Sequence, residues 1–206
     1  MSILEHVIHT DLIKESKHSS IFVGRLDDSS KVIIKLLKNA DIKIFQTLSS
    51  VNSLHFPRIL ELSEQMENGE PELTVIEEYI EGDNVSDLLN TRKLSSEEMF
   101  QLMLQLCEGI SFLHQMSPPF IHRDIKPQNL ILAKDGVLKI IDFNTTRVYK
   151  PDASDDTIHL GTVEYAPPEQ FGYSQTDVRS DIYSIGVTLY EIVYGKKFKL
   201  KCCSAD

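Results

Sequence analysis

The chain has 206 residues, 41% hydrophobic and 25% charged, the balance of an ordinary globular protein with room for one well-cored domain or two small lobes sharing a cleft. Its formal net charge of −10 argues against nucleic acid as the main partner, because a phosphate backbone calls for a basic face. No apolar run approaches transmembrane length, and Met1-Ser2-Ile3-Leu4-Glu5-His6 lacks the basic and apolar regions of a secretory signal. The three cysteines, Cys107, Cys202 and Cys203, show neither disulfide-framework nor zinc spacing, so a cytoplasmic protein away from membranes is expected.

In chain order, Ser20-Ile21-Phe22-Val23-Gly24-Arg25-Leu26 and Lys31-Val32-Ile33-Ile34-Lys35-Leu36-Leu37 are β-branched or apolar runs joined by Asp27-Asp28-Ser29-Ser30, a hairpin signature. Ile44, Leu48 and Val51, with Phe45 adjoining, recur at helical spacing and predict a helix from about residue 42 to 54, with Pro57 barring continuation. Leu73-Thr74-Val75-Ile76 reads as another strand, and Glu81-Gly82-Asp83-Asn84 as a turn after it. Beyond Gly82 the texture becomes helical. Ser95 and Glu98 offer a capping box ahead of a helix that places Phe100, Met103, Leu106, Ile110 and Leu113 on one face, closed by Pro118-Pro119. Leu130-Ile131-Leu132 and Val137-Leu138-Lys139-Ile140-Ile141 are short strands about a Lys134-Asp135-Gly136 turn. A last helix is predicted from about Asp181 to Tyr194, with Gly195 as its C-cap. The sum is a single α+β domain, 1–206, with a β-rich lobe over 1–80 and an α-rich lobe over 81–206.

The chemistry is concentrated in His122-Arg123-Asp124-Ile125-Lys126-Pro127-Gln128-Asn129 and the later Asp142-Phe143. Phosphoryl transfer needs a carboxylate to align the attacking hydroxyl, a cation on the moving phosphate, and oxygen ligands for magnesium. Asp124, Lys126, and the pair Asn129 and Asp142 offer all three. Their spacing matches the catalytic loop and metal-binding segment of protein kinases.

Three further motifs stand in the same order as in that family. They are Val32-Ile33-Ile34-Lys35, Gly161-Thr162-Val163-Glu164-Tyr165-Ala166-Pro167-Pro168-Glu169, and Asp181-Ile182-Tyr183-Ser184-Ile185-Gly186. The chain therefore resembles eukaryotic-type serine/threonine protein kinases of the sort bacteria also encode, over roughly residues 5 to 198. The resemblance implies a two-lobed kinase fold, antiparallel and β-rich in the smaller lobe and mainly α-helical in the larger. It implies ATP and Mg2+ as cofactors and a protein substrate with a Ser or Thr acceptor. Asp124 would steer the substrate hydroxyl, Lys126 would contact the transferred phosphate, Asn129 and Asp142 would bind magnesium, and Lys35 would hold the α- and β-phosphates. Glu78, Tyr79 and Ile80 resemble the segment whose backbone pairs with the adenine edge, with Ile21 as roof, Ile131 as floor and Ile33 over the base. His122 and Phe143 resemble packing residues, and a satisfied core histidine is the expectation for the former.

Four departures accompany the match. Lys14, Ser16 and Ser19 stand where the phosphate-covering loop carries glycines, and side chains there keep backbone N–H groups from approaching phosphate closely. The helix that supplies a glutamate to the phosphate lysine has Gln46 or Thr47 at that place, leaving Lys35 without a partner from it, with Asp142 as a substitute. Asn144 replaces a glycine, tolerable if the backbone is left-handed there, and Ile33 replaces a small alanine over the base. The chain stops after the 181–194 helix, so a curtailed larger lobe is expected, with Glu169 facing water or another cation. Ser154 and Thr157 are candidate phosphorylation sites that Arg123 would receive, while Asp152, Asp155 and Asp156 are expected as a solvated loop rather than as fixed acidic charge in the phosphate's place. Two functions from different classes follow: a serine/threonine kinase, or a pseudokinase-like binding and regulatory module.

Overall fold

The computed structural model describes residues 2–67, 69–150, 162–171 and 175–198. Two compact units divide the chain, Met1–Glu81 and Gly82–Asp206. Ser154, Thr157, Asp152, Asp155, Asp156, Gly161 and the Cys202-Cys203 tail lie outside the described residues.

The first unit is a five-stranded sheet in the order β1-β2-β3-β5-β4, with β1 Val7–Glu15, β2 Ser19–Leu26, β3 Lys31–Lys38, β4 Ile59–Glu67 and β5 Glu70–Glu78, every neighbouring pair antiparallel. The expected hairpin is β2–β3, and Ser29 takes the left-handed φ of 70° in its turn. Alternation along β3 sends Val32 and Ile34 to one face, where they meet Ile76 and the 3-10 turn residues Ile3 and Leu4. Gly24 lets that packing close, since a Cβ there would stand 2.8 Å from Ile34 Cδ1. The other face carries Ile33, Lys35, Leu37, Leu73, Val75 and Glu77, with Lys35↔Val75 and Ile33↔Glu77 directly opposite. Helix α1 spans Ile42–Ser49, five residues fewer than the periodicity predicts, and buries Ile44, Phe45 and Leu48. The Ser49 and Ser50 hydroxyls donate to the carbonyls of Gln46 and Thr47 (2.8 and 2.7 Å) and end the helix there.

The second unit begins with β6 Gly82–Asn84, which corrects the turn expected there: it pairs with β8 Leu130–Ala133, and β8 pairs with β9 Leu138–Ile140. Glycine is required at 82 because a Cβ would come 2.7 Å from the Ala133 Cα. Helix α2 spans Val85–Thr91 and α3 spans Ser96–His114. The Ser95–Glu98 capping box forms as expected, with Glu98 N donating to Ser95 Oγ (3.2 Å) and Ser95 N to Glu98 Oε2 (2.7 Å). The buried face of α3 is Leu102, Leu106, Gly109, Ile110 and Leu113, while Phe100 is 61% exposed, so the predicted face is wrong in phase over the first turn. The two-residue strands β7 Phe120–Ile121 and β10 Arg147–Val148 pair with each other. Helix α4 runs Val178–Tyr194, three residues longer at its start than predicted, because Asp177 caps it through Arg179 N (2.8 Å). Gly195 ends it at φ 64°, as a left-handed C-cap should.

Candidate active site

In the second unit the segment after β7 is pinned by one buried carboxylate on α4. Asp181, fully buried, accepts His122 N and Arg123 N at 2.9 Å each and His114 Nε2 at 2.8 Å. Those two amides hold Arg123 in a left-handed conformation, φ 67°, which a non-glycine residue adopts only at a cost of roughly 1 kcal/mol. The Arg123 guanidinium then donates to Thr145 O (2.8 Å), and the Thr145 hydroxyl donates back to His122 O (2.9 Å). His122 is buried in the core as expected, but its Nε2 has no hydrogen-bond partner among the described residues, so it is not the satisfied histidine expected of it. Burial holds its imidazole below the usual range against the pull of Asp181, Asp124 and Asp142, and its ring meets Phe143 edge-on at 5.2 Å.

The backbone so held delivers Asp124 into a closed set of donors. Lys126 Nζ and Asn129 Nδ2 donate to Asp124 Oδ2 at 2.7 and 2.8 Å, and the Thr162 amide and hydroxyl donate to Oδ1 at 3.1 and 2.8 Å. Burial pushes this carboxyl up, but the charge and hydrogen bond of Lys126 and the hydroxyl of Thr162 outweigh it and hold Asp124 below the ordinary carboxylate range. Lys126 Nζ also donates to Thr162 Oγ1 (2.5 Å), so one hydroxyl lies against both the carboxylate and the ammonium.

Asn129 donates from Nδ2 to both Asp124 O and Asp124 Oδ2, which leaves its oxygen as the acceptor end of the amide. Ile141 N donates to the backbone carbonyl of Asn129 (2.9 Å) at the end of the β8–β9 pairing, one residue before Asp142. Asp142, not Asn144, is the left-handed residue, φ 70°; Asn144 sits inside the 3-10 turn Phe143–Thr145, so the tolerance expected of it is not called upon. One amide oxygen and one carboxylate are hard donors that suit magnesium, an ion that completes its shell with water and phosphate oxygens. Among the described residues no cluster of three or more His, Cys, Asp or Glu could hold a metal by itself. Ile131 stands half-buried on β8, opposite Asn84 and Lys139.

In the first unit, Ile21 lies opposite Lys35 across β2–β3, and Ile33 opposite Glu77 across β3–β5, so all four share one sheet face. As expected, α1 gives Lys35 no acidic partner; its Nζ pairs with Glu77 of β5 at 2.8 to 2.9 Å, and the two residues are 3% and 2% exposed. That carboxylate was missed in the sequence. Its signal is a charged residue in the apolar run Leu73-Thr74-Val75-Ile76-Glu77 of a buried strand. Gln46 and Thr47, the places considered for a helix-borne partner, are exposed. The Glu78 side chain and amide both bond Arg58, and the Lys31 ammonium lies 5.0 Å from the Tyr79 ring centre. Ile80 follows, half-buried.

The segment expected to cover the phosphates is a short turn between β1 and β2. Ser16 Oγ accepts His18 N (3.3 Å) and Ser19 N (3.0 Å), and Ser16 N donates to Ser19 O (2.8 Å). The Ser16 hydroxyl thus occupies two amides, those of His18 and Ser19, that a glycine loop would present. Glu169, expected to face water or a cation, is half-buried, accepts the Ser180 hydroxyl (2.9 Å) and adds to the negative charge felt by Arg179.

The family model of the protein kinase domain matches residues 16–201. The chain belongs to that family. Its bacterial relatives place it among eukaryotic-type serine/threonine kinases. It is 37% identical over 130 residues to serine/threonine-protein kinase A of Synechocystis, covering 58% of this chain and 25% of that protein. It is 31% identical over 153 residues to serine/threonine-protein kinase pkn2 of Myxococcus xanthus, covering 71% and 18%. To the probable serine/threonine-protein kinase PknB of Bifidobacterium longum it is 32% identical over 158 residues, covering 72% and 23%. The chain thus spans a quarter or less of these relatives' lengths. As a kinase domain it has the β-rich and α-rich units expected, and among its described residues no helix is long and apolar enough to cross a membrane.

Proposed function

We propose that this kinase domain transfers the γ-phosphate of ATP, with magnesium, to serine or threonine hydroxyls of protein substrates. The observation that carries the reading is the buried, ionised Asp124 with Lys126 beside it. Thr162 supports it by showing the geometry such a pair can hold: a hydroxyl donating to Asp124 Oδ1 while accepting from the Lys126 ammonium. A substrate hydroxyl in an equivalent position would have its proton directed at the carboxylate and its oxygen lone pair free to attack. Because the transition state is loose, this alignment matters more than basicity, and a depressed pKa is no obstacle. Lys126 follows charge onto the transferred phosphoryl group. Lys35 holds the α- and β-phosphates, Asn129 and Asp142 hold the metal by their oxygens, and Ile21, Ile33, Ile131 and the 78–80 segment receive the base. Magnesium, when bound, would neutralise charge on the phosphate oxygens.

The second reading, a binding and regulatory module that transfers nothing, draws on the serine turn: the His18 and Ser19 amides are already bonded to Ser16 Oγ. One experiment separates the two. Labelled ATP with magnesium and a generic protein substrate is incubated with wild type and with Asp124→Asn. Incorporation that disappears in the variant is expected. No incorporation by wild type, with no thermal shift on adding nucleotide, would establish the binding module instead.

A further inference from the structure

Helix α1 contains no aspartate or glutamate, so it can offer Lys35 no counter-ion at any position along its length. The lysine nonetheless has a buried one. Lys35 and Glu77 are diagonal neighbours on the same face of adjacent antiparallel strands, since Lys35 is opposite Val75 and Ile33 opposite Glu77. Two Nζ–carboxylate distances, 2.9 Å to Oε1 and 2.8 Å to Oε2, show the ammonium seated across both oxygens. Glu77 is also the residue immediately before the Glu78-Tyr79-Ile80 segment.

We propose that Glu77 is the positioning residue for Lys35, so that the direction of the phosphate-binding ammonium is set by the pairing of β3 with β5 rather than by helix α1. The inference rests on the proposed role of Lys35 toward phosphate and deepens it. A carboxylate on α1 would make the lysine's orientation depend on where that helix lies. A carboxylate on β5 ties it to a sheet ladder running from Lys38↔Glu72 to Val32↔Glu78, which has no freedom to swing. The strand that leads into the base-binding segment therefore also aims the phosphate-binding group. Without Glu77 the ammonium would have no counter-ion in its buried seat and would turn toward solvent, so that it would no longer be presented.

The test is a set of titrations of the full chain by calorimetry, with magnesium ADP and with adenosine, on wild type, Glu77→Gln, Glu77→Asp, Lys35→Met and the Lys35→Met/Glu77→Gln double variant. Glu77→Gln should weaken magnesium ADP about tenfold or more while adenosine stays within about twofold, a selectivity that general damage to the unit does not produce. The double variant should bind magnesium ADP no more weakly than Lys35→Met, since Glu77 acts only through the lysine. Circular dichroism melts identify any variant that has unfolded. If Glu77→Gln has, Glu77→Asp carries the comparison, with a several-fold loss confined to the phosphate-bearing ligand. Unchanged magnesium ADP affinity in the folded Glu77 variant, alongside a loss in Lys35→Met, would overturn Glu77 and leave the lysine's role intact. Equal affinity of wild type and Lys35→Met, or no binding by wild type, would remove the role of Lys35 and the proposal with it. As a separate check, Gln46→Ala and Thr47→Ala on α1 should leave magnesium ADP affinity within about twofold of wild type, and a tenfold loss in either would return control of the lysine to the helix.

Discussion

The two units treat the same family pattern in opposite ways. In Gly82–Asp206 the motif residues are gathered as their spacing implies: one buried carboxylate on α4 holds the backbone at His122 and Arg123, and the segment that follows brings Asp124, Lys126 and Asn129 into a single bonded group. In Met1–Glu81 the lysine of the pattern is present while its surroundings are exchanged. Serine hydroxyls replace glycine amides in the turn before β2, and a strand carboxylate replaces a helix carboxylate beside Lys35. The difference is one of how each function is built. Asp124 depends on a backbone held at several points, so few substitutions leave it in place. A lysine needs only one carboxylate within reach, and that can come from any element facing it.

The largest effect is expected from Asp124→Asn. The amide keeps the shape but loses the charge that draws the hydroxyl proton, and phosphoryl transfer should fall by about 10²–10⁴-fold with nucleotide affinity little changed, as read by labelled transfer and calorimetry. Comparable transfer by the variant would place the chemistry elsewhere and leave the second unit's order a matter of folding alone. Asp181→Ala comes next, and its readout is stability. Two buried backbone amides and His114 would lose their acceptor, for a cost of about 3–5 kcal/mol by denaturant titration. The same experiment shows whether the units unfold together, since a loss confined to the second should leave the signal of the first in place.

The asymmetry between the units also governs what could be read without coordinates. Asp124, Lys126 and Asn129 lie within one short segment, so their spacing alone implies that they converge, and the structure brings them together. The Ser95–Glu98 box and the Gly195 cap are equally local, and both form as expected. Lys35 and Glu77 are separated by 42 positions and meet only through the β3–β5 register, which no local pattern encodes. Strands β1 and β4 escaped for a different reason. All of β1 after Val7 is exposed, and β4 mixes Glu61, Ser63, Glu64 and Gln65 into its length, so neither shows the alternation that announces a half-buried strand. Backbone hydrogen bonding, not a buried face, makes them strands.

A third prediction presses on the serine turn. Ser16→Gly removes the hydroxyl that binds the His18 and Ser19 amides and restores a residue free to take any backbone angle. If the domain uses this turn on phosphate, magnesium ADP affinity should rise about two- to tenfold, and adenosine affinity should stay put. A fall in affinity would mean that the serine hydroxyls themselves serve the ligand.

The smallest effect compares helix starts. Helix α1 begins at Asp41, whose carboxylate accepts Lys43 N (3.0 Å), whereas α3 begins with a reciprocal box in which Glu98 also meets Arg92 (2.7 Å). Ser95→Ala should cost about 1 kcal/mol, the usual worth of an N-cap hydroxyl. The Glu98 half of the box adds a pH signature. Its carboxyl is held down to about 2, first by the Arg92 hydrogen bond and then by the Ser95 amide and hydroxyl, against an ordinary value of 4.5. A carboxyl lowered in the folded state stabilises fully above its unfolded value and loses that contribution as pH falls through the folded one. Wild type should therefore lose part of its stability between pH 4.5 and about 2, and Glu98→Gln should flatten that part of the acid melting curve. An unchanged acid slope in Glu98→Gln would show that the box contributes shape to α3 but no charge-linked stability.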